Sequence, residues 1–499
     1  MLSRRTFLKA AGICAAAGGL SLPFYGAAAR RRPNIVLIIG DDISMQDHGV
    51  YGHPTIKTPH IDELAAHGLR FNNAYLTAAS CSPTRCSVIT GRYPHNTGAP
   101  ELHMPLPKDQ VMFPRLLKDS GYYTAAAGKW HLGPAAKSAF DRIVDSSPSG
   151  AERWVQTLRQ RPKDKPFLMW FASYDAHRDW DGGPGAEPPL PKDAVVPPYQ
   201  VDSLPTRQDI ARYMGEVQRL DSYVGKVVDE LKDQGILDNT LIIYMSDNGR
   251  AFPRDKAWLL DAAIKMPLII HWPEGLATAG MVSDAIVSAI DIAPTLLEAA
   301  QVSIPKTMQG LSFGALFKHP KTTIRDYAFA ELNWHTQYSH MRALRWKHYV
   351  YIRNAAPELS NMMMAKLNRR NAPWMELLRV REEGTLNPAQ ANVMLRPRPA
   401  EELYDVKADR HQLTNLAGQD KYQAVLDHLR HILDRWTAET GDTIPSPELR
   451  TPDRYDRHTA EETDAPFNPE RRDWAGKARN AEKINAPGPQ CSDKAAVIE

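Results

Sequence analysis

Four apolar runs in this chain each end at polar residues, and this pattern constrains the fold more than any other feature. The runs are residues 34–39, 123–127, 167–171 and 241–245. The polar residues that follow them are Asp41 and Asp42, Lys129 and His131, Asp175 and His177, and Asp247 and Asn248. Continuous apolar runs rich in β-branched residues are typical of strands buried on both faces. The carboxyl ends of parallel strands meet at one edge of a sheet, where open α/β sheets bind their ligands.

Helical patterns occupy the intervals between these runs. Residues 59–65 follow Thr58 with a proline at the first helical position, and apolar residues recur at helical spacing from Ile210 to Leu231. Strands that alternate with helices predict an α/β fold, in which helices sandwich a large, mixed, mostly parallel sheet.

The pattern changes towards the C-terminus. Shorter β-like runs such as residues 348–352 appear, and a late helical pattern covers residues 422–436. We therefore predict a large α/β domain over residues 30–325, which carries the polar strand ends, and a smaller C-terminal α+β domain with an antiparallel sheet over residues 326–445. Residues 446–499 are rich in charge and proline, which is typical of a surface tail.

The first 29 residues have the pattern of a removable export signal. Arg4 and Arg5 open it, residues 10–22 form a short apolar stretch rich in Gly and Ala, and residues 27–29 (AAA) offer a cleavage site. The paired arginines indicate the twin-arginine (Tat) translocon as a partner, so we expect the mature protein to be periplasmic or secreted. A membrane anchor is the alternative, although the apolar stretch is short for a span.

Charge and cysteine content exclude two broad classes of protein. The chain has 61 Lys and Arg against 58 Asp and Glu, and Arg4, Arg5 and Lys9 of the leader account for the whole excess. A mature chain with balanced charge is not expected to bind nucleic acid. Cys14 leaves with the leader and an odd number of cysteines remains, so disulfides are not expected to hold the fold together. The oligomeric state has no signal in the sequence.

Cys81 stands just before a predicted helix. Ser82 is the expected N-cap, Pro83 the first helical residue and Gly91 the stop. The free N–H groups at a helix amino terminus favour negative charge and can make a cysteine reactive. An inert, packed cysteine is the alternative interpretation.

Oxygen ligands follow two of the predicted strands. They are Asp41, Asp42, Asp247 and Asn248. Hard divalent cations prefer such ligands. The sequence therefore predicts a divalent cation site at this edge of the sheet, and acidic pairs that only cap the strand ends are the alternative.

Residues 81–85 (CSPTR), followed by residues 90–98 (TGRYPHNTG), resemble the signature of the formylglycine-dependent sulfatases, whose usual form is C-x-P-S-R. The motifs that agree with that family in order are 41–42 (DD), 128–133 (GKWHLG), 175–177 (DAH) and 246–249 (SDNG). The similarity runs from residue 33 to about residue 442 and implies an alkaline-phosphatase-like fold. Within the family the chain resembles the N-sulfoglucosamine sulfohydrolase (heparan N-sulfatase) branch, through motifs that include 402–405 (ELYD) and 436–442 (WTAETGD).

This resemblance implies that Cys81 is oxidised to formylglycine (3-oxoalanine). A modifying enzyme of the formylglycine-generating or radical type would do this, directed by Pro83 and Arg85. The hydrated aldehyde attacks sulfur with one hydroxyl and expels sulfate with the other, an exit that neither a thiol nor a serine hydroxyl offers. By the same likeness the cation is one calcium ion per chain, and its ligands are Asp41, Asp42, the modified Cys81, Asp247 and Asn248.

The resemblance also implies roles for the other catalytic residues. Lys129 and Lys256 contact the sulfate oxygens, and Arg85 orients the modified side chain. The residue that matches His177 protonates the leaving group, and the one that matches His131 assists the formylglycine hydroxyls.

The expected substrate is a sulfated carbohydrate. The branch likeness favours N-sulfoglucosamine of a heparan-type glycan, and an O-sulfated polysaccharide, including an algal one, is the alternative. The candidate contacts to the sugar are Arg178, His95, His103 and His335.

Three other functions are open. Cys86 and Arg92 have the C-x5-R spacing of cysteine phosphatases, although no histidine precedes the cysteine. A phosphonate or phosphodiester hydrolase could use the same formylglycine and metal. A catalytically silent protein could bind sulfated glycans in a calcium-dependent way.

Overall fold

The computed structural model describes residues 31–180, 182–360, 371–454 and 463. The predicted export signal lies outside these residues, as does most of the predicted tail. The strands described are β1 (Asn34–Gly40), β2 (Leu69–Tyr75), β3 (Tyr123–Gly128), β4 (Arg142–Val144), β5 (Phe167–Ala172), β6 (Thr240–Ser246), β7 (Leu268–His271), β8 (Met281–Ser288), β9 (Tyr327–Trp334), β10 (Tyr338–Trp346), β11 (Tyr349–Asn354) and β12 (Glu401–Asp405). The helices described are α1 (Pro59–Ala66), α2 (Cys81–Thr90), α3 (Pro94–Thr97), α4 (Phe113–Asp119), α5 (Trp154–Arg159), α6 (Leu204–Asp233), α7 (Asp261–Ile264), α8 (Ile292–Ala299), α9 (Ala372–Glu382), α10 (Pro388–Asn392) and α11 (Gln423–Thr440).

The larger sheet contains eight strands in the order β4-β3-β5-β1-β6-β7-β2-β8. The strands from β4 to β6 run parallel, β7 is antiparallel to both of its neighbours, and β2 and β8 are parallel. The four apolar runs of the sequence are β1, β3, β5 and β6, and they lie side by side as β3-β5-β1-β6. The prediction that their polar ends share one edge is therefore confirmed.

Helices cover both faces of this sheet, which explains why β1 is apolar from Ile35 to Ile39. Ile35, Leu37 and Ile39 pack with α2, α4 and α8, whereas Val36 and Ile38 pack with α1, α5 and α6 on the opposite face. Full burial of each such side chain contributes about 1.5–3 kcal/mol. The predicted sandwich of a mostly parallel sheet between helices is confirmed, and the helical patterns around residues 59–65 and 210–231 correspond to α1 and α6.

The smaller sheet contains four antiparallel strands in the order β12-β11-β10-β9. One face carries α11, where Trp436 stacks on Phe329 with ring centroids 5.0 Å apart. The other face, through residues such as Ala343 and Ile352, packs into the same core as the larger sheet. The predicted smaller α+β part with an antiparallel sheet is confirmed, and its exact boundaries stay a prediction.

Helix α6 is 30 residues long and lies across one face of the larger sheet. The side chain of Ser203 caps it by accepting the N–H of Thr206. Within the described part of the chain, no helix combines the length and the apolar character needed to cross a bilayer.

Candidate active site

The ends of β1 and β6 bring oxygen-bearing side chains together. The two strands pair in parallel up to Gly40 and Ser246, so the residues that follow emerge side by side. These residues are Asp41, Asp42, Asp247 and Asn248, all fully buried. The backbone N–H of Asp42 donates to Asp247 Oδ1 at 3.3 Å. Asp42 has a left-handed backbone with φ of +58°, a conformation that costs about 1–3 kcal/mol and is found mostly at functional sites.

Helix α2 presents Cys81 to this cluster. Its Sγ lies 3.6 Å from Asp41 Oδ1 and 3.8 Å from Asp42 Oδ1, and the residue is 1% exposed. Burial raises the pKa of the Cys81 thiol well above its ordinary value, although Lys129 and Lys256 act in the opposite direction. The unmodified side chain is therefore a neutral thiol among charged groups.

The start of α2 differs from the prediction. The helix begins at Cys81 with Ser80 as its N-cap residue, two positions earlier than the cap predicted at Ser82. The Ser80 hydroxyl does not cap the helix, because it hydrogen-bonds Nδ1 of His335 at 2.9 Å. The predicted stop at Gly91 is confirmed, with φ of +65°.

Each carboxylate of the cluster is paired with one buried cation. The pairs are Asp41 with Lys129, Asp42 with Lys256, and Asp247 with Arg85. Lys256 Nζ lies 2.6 and 2.8 Å from the Asp42 oxygens and 3.2 Å from Cys81 Sγ. Burial alone would raise the pKa of Asp42, but Lys256 and His177 hold it below its ordinary value. The predicted sulfate-binding lysines thus flank the cysteine's carboxylate neighbours.

The donor set fits a hard cation. Ligand atoms of Asp41, Asp42, Cys81 and Asp247 all lie within 4.8 Å of one another. Asn248 Nδ2 donates to Asp42 Oδ1 at 2.6 Å and to the Gly249 carbonyl at 2.9 Å, whereas its buried Oδ1 has no hydrogen-bond donor. A buried polar atom without a partner costs about 1–3 kcal/mol, and a cation among these oxygens would satisfy it. Burial and the Asp41 charge also raise the pKa of Asp247, an effect that a bound cation would counter.

His177 follows β5 and offers one nitrogen for proton transfer. Its Nδ1 contacts the carbonyl oxygen of Arg178. A carbonyl only accepts, so Nδ1 carries the proton and Nε2 is the remaining nitrogen. Burial lowers the pKa of His177, and Lys256 lowers it further. The imidazole is therefore neutral near pH 7 in the resting site.

His131 follows β3 and pairs with a second histidine. Its Nε2 lies 2.6 Å from Nδ1 of His103, and because one nitrogen must donate and the other accept, the two atoms share one proton. Burial lowers the pKa of His131 well below its ordinary value, with further contributions from Lys129 and His103. His103, predicted as a sugar contact, thus reaches the site beside His131.

A cavity of about 100 Å³ opens beside the cluster. Asp42, His177 and Lys256 line it, together with Arg178 and His335, two of the predicted sugar contacts. Sequence reasoning missed the other aromatic and polar residues of the lining: Phe252, Arg254, Trp258, Thr336, Asn371 and Trp374. Aromatic walls with a few polar groups are typical of small-molecule pockets. Residues 371 and 374 come from the start of α9, which carries no motif.

Arg178 lines the cavity, but its charge is already paired. Its Nη1 and Nη2 donate to the two oxygens of Asp209 at 3.1 and 2.7 Å. The guanidinium also stacks over the Trp180 ring, 3.9 Å from the centroid. Arg178 is thus a fixed part of the wall, and not an unpaired cation waiting for substrate.

His95, predicted as a sugar contact, is not among the residues that line this cavity. Its Nδ1 lies 3.1 and 3.0 Å from the two carboxylate oxygens of Glu331 in β9, and its ring meets Trp436 of α11 edge to face. The side chain is 2% exposed. These partners join α3 to the smaller sheet.

Two charged residues of α6 were also missed, Asp209 and Arg219. Both are buried, and each directly precedes a core residue of the helix, Ile210 and Leu220 respectively. Charged side chains are almost never fully buried without a partner. The spacing of apolar residues along α6 carried no signal for them, because their partners lie in another segment of the chain.

The structure excludes the cysteine phosphatase interpretation of Cys86. The residue lies inside α2 and is fully buried in the core. Burial raises its pKa well above the ordinary value, and Arg92 Nε donates to the Asn96 carbonyl at 3.1 Å. A cysteine phosphatase needs a reactive thiolate that faces an anion bound by the arginine. Cys86 and Arg92 do not form this arrangement.

Comparison with known protein families and curated proteins agrees with this site. Residues 33–153 and 149–302 match the sulfatase family, and residues 251–368 match the C-terminal region of N-sulphoglucosamine sulphohydrolase. An ulvan-active sulfatase of Formosa agariphila is 30% identical over 474 residues, which cover 84% of this chain and 76% of the relative. N-sulphoglucosamine sulphohydrolase of Homo sapiens is 29% identical over 477 residues, which cover 83% of this chain and 91% of the relative.

Solved structures agree in fold. A protein in complex with D-glucosamine-2-N,6-O-disulfate superposes with a TM-score of 0.65 at 22% identity, covering 83% of this chain and 99% of the other. The family match includes the ends of β1, β3, β5 and β6 and the start of α2. The chain therefore belongs to the sulfatase family and is an enzyme that hydrolyses sulfate esters or sulfamates.

Proposed function

We propose that this enzyme removes sulfate from a sulfated glycan, using a formylglycine made from Cys81 together with a calcium ion. The observation that supports this most is the position of Cys81. Its Sγ lies within 3.8 Å of carboxylate oxygens of Asp41 and Asp42 and 3.2 Å from Lys256 Nζ. In the proposed reaction, the nucleophile contacts the cation, the sulfate group and a fixed positive charge. The position of Cys81 allows all three contacts.

The unmodified thiol is poorly suited to attack sulfur. Burial keeps its pKa high, and its closest polar neighbours are two carboxylates and an ammonium group. The thiolate is the nucleophilic form of cysteine, and it is scarcely populated here. An oxygen-bearing side chain at this position suits both a hard cation and nucleophilic attack.

The residues of the site supply charge and position. When present, calcium neutralises charge on the sulfate group, and the hydrated aldehyde supplies an oxygen nucleophile and a second hydroxyl for sulfate release. Asp41, Asp42, Asp247 and Asn248 would hold the ion through their oxygens. Lys129 and Lys256 would contact the sulfate oxygens, on which negative charge increases in the transition state. Arg85 would keep Asp247 in place.

His177 would protonate the leaving atom. Its Nδ1–H is fixed on the Arg178 carbonyl, and the ring lines the cavity. A bound sulfate group brings negative charge, which raises the pKa of the imidazole and favours a proton on Nε2. As the bond from sulfur to the sugar breaks, that proton passes to the departing oxygen or nitrogen. His131, with His103, would hold the proton of the modified Cys81.

Glucosamine N-sulfate is the first substrate class that we propose. The match to the C-terminal region of N-sulphoglucosamine sulphohydrolase includes the cavity-lining Phe252, Trp258, His335 and Thr336. An O-sulfated polysaccharide is the second candidate, because the relative at 30% identity is an ulvan-active sulfatase.

We also propose that residues 1–29 direct export through the Tat pathway to the periplasm or beyond. That pathway carries folded proteins, and Cys81 is buried once the chain has folded. Its modification would therefore precede folding and export.

Mass spectrometry of the tryptic peptide 71–85 tests this proposal. The protein is purified from its native host, or from a host that also makes a modifying enzyme, and formylglycine lowers the peptide mass by about 18 Da. The same preparation is assayed for sulfate release from glucosamine N-sulfate, glucosamine 6-O-sulfate and ulvan. The mass loss together with sulfate release supports the proposal, and sulfate release by a fully unmodified thiol refutes the formylglycine. Calcium-dependent binding without any release would support the silent glycan-binding alternative.

A further inference from the structure

The loop that carries His177 is fixed to α6 by two buried ion pairs of opposite polarity. On one side of His177, Asp175 of the loop accepts hydrogen bonds from Arg219 of the helix. On the other side, Arg178 of the loop donates to Asp209 of the helix. None of these four side chains is more than 5% exposed.

The Arg219 pair reaches the cation site as well as His177. Arg219 Nε and Nη2 donate to the two oxygens of Asp175 at 3.0 and 2.5 Å. The Asp175 carbonyl accepts the N–H of Asp41 at 2.9 Å, and the Ala176 N–H donates to the Asp41 carbonyl at 2.6 Å. A displacement of Asp175 would therefore move the backbone of Asp41 together with that of His177.

The Asp209 pair holds the loop at Arg178, which also lines the cavity. The Arg178 guanidinium donates two hydrogen bonds to Asp209 and a third, from Nε, to the Ala251 carbonyl at 3.3 Å. The Arg178 carbonyl is the acceptor for His177 Nδ1. A shift of Arg178 would therefore turn the imidazole and change where Nε2 points.

We propose that Asp209 and Arg219 are positioning residues for proton transfer by His177, and that Arg219 also positions Asp41 for the cation. This inference rests on the proposed function. Two buried charges lose about as much solvation as they gain in attraction, so stability alone explains such pairs poorly. Both residues stand on one helix, about 15 Å apart along its axis. Ion pairs from one rigid helix to the loop on both sides of His177 restrict the position of the imidazole ring more than the loop could by itself.

Leaving-group dependence tests this role, because a poor leaving group needs the proton and an activated aryl sulfate needs it much less. In Asp209→Asn and Arg219→Lys, kcat/KM is expected to fall about 10- to 100-fold more for glucosamine sulfate than for 4-nitrophenyl sulfate. Calorimetric titration of chelator-treated protein with calcium gives a second measurement. Calcium affinity is expected to fall in Arg219→Lys and to stay unchanged in Asp209→Asn.

Arg325→Lys is the matched control. Arg325 and Asp291 form a bidentate pair that is at most 1% exposed and lies away from the loop. This variant is expected to melt at a lower temperature while the ratio of the two kcat/KM values is unchanged.

Equal losses on both sulfates in Asp209→Asn and Arg219→Lys would overturn the positioning role. If Arg219→Lys does not fold, Asp209→Asn decides the same comparison. Wild-type protein that releases sulfate from none of glucosamine N-sulfate, glucosamine 6-O-sulfate, ulvan and 4-nitrophenyl sulfate refutes the proposed function instead, and the calcium titration still decides whether Arg219 positions Asp41.

Discussion

Replacing Lys256 by methionine tests the charge balance of the active site. The Lys256 side chain is 10% exposed, and its Nζ lies 2.6 and 2.8 Å from the oxygens of the fully buried Asp42. Removal of one partner from a buried ion pair leaves an uncompensated charge, which costs about 3–5 kcal/mol. At about 2 °C per kcal/mol for a large chain, the calcium-free Lys256→Met protein is expected to melt about 6–10 °C below the wild type.

Calcium is expected to reverse much of this loss. A cation bound beside Asp42 would supply the missing positive charge, so calcium should stabilise Lys256→Met more than the wild type. For scale, a ligand at 100 times its Kd stabilises a protein by about 2.7 kcal/mol. Thermal melts of both proteins, in chelator and in excess calcium, measure the effect. Sulfate release is expected to fall by about 10²–10³, because the sulfate oxygens lose a fixed positive charge.

A matched lysine provides the control. Lys118 Nζ also lies 3.0 Å from an aspartate, Asp141, but the two side chains are 29% and 33% exposed. Such pairs contribute about 0–1 kcal/mol, so Lys118→Met should melt within about 2 °C of the wild type. The reasoning is refuted if calcium-free Lys256→Met has the same melting temperature as the wild type, or if calcium stabilises Lys256→Met and the wild type equally.

Three further changes have definite expected outcomes. His177→Ala is expected to lower kcat/KM for sugar sulfates by about 10²–10⁴ and to affect 4-nitrophenyl sulfate much less; equal losses would exclude His177 as the proton donor. In a host whose modifying enzyme accepts only cysteine, Cys81→Ser is expected to abolish sulfate release and to keep the wild-type circular dichroism spectrum, and retained activity would contradict the formylglycine. Burial raises the pKa of Asp221 from 3.8 to about 6, so the folded state holds this proton more tightly than the unfolded chain, and stability is lost as the pH rises from about 4 to about 6. Urea unfolding at both pH values is expected to show a loss about 2 kcal/mol smaller in Asp221→Asn, and identical losses in the two proteins would contradict the raised pKa.

The carboxyl edge of the larger sheet could be predicted because its signal is local. A strand buried on both faces must be apolar throughout, and the polar residues come directly after it. Once β1 and β6 are parallel neighbours, their register alone sets Asp41 and Asp42 beside Asp247. The motifs then add Cys81 and His177 to the same edge.

Side-chain partners could not be predicted, because distant segments supply them. Ser80 and Ser82 are equally good N-caps as sequence, and the partner of the Ser80 hydroxyl is His335, 255 residues away. The partner of His95 is Glu331, 236 residues away. Both contacts depend on how the smaller sheet packs against the larger one. Neither the spacing nor the type of these residues carries that information.

The pairing of charges also explains how such a site can favour the transition state over the bound substrate. Three carboxylates meet three cations one to one, and burial keeps His131 and His177 neutral at rest by lowering their pKa. The protein groups therefore sum to about zero, and a divalent cation held by their oxygens would leave two positive charges in excess. A sulfate ester brings only one negative charge. Negative charge on the sulfate oxygens and on the departing atom increases during the reaction, whereas the proton that the nucleophile loses would pass to His131 and His103. With the cation bound, the positive charges of Lys129, Lys256 and the cation would therefore attract the transition state more strongly than the bound substrate, which is the condition for electrostatic catalysis.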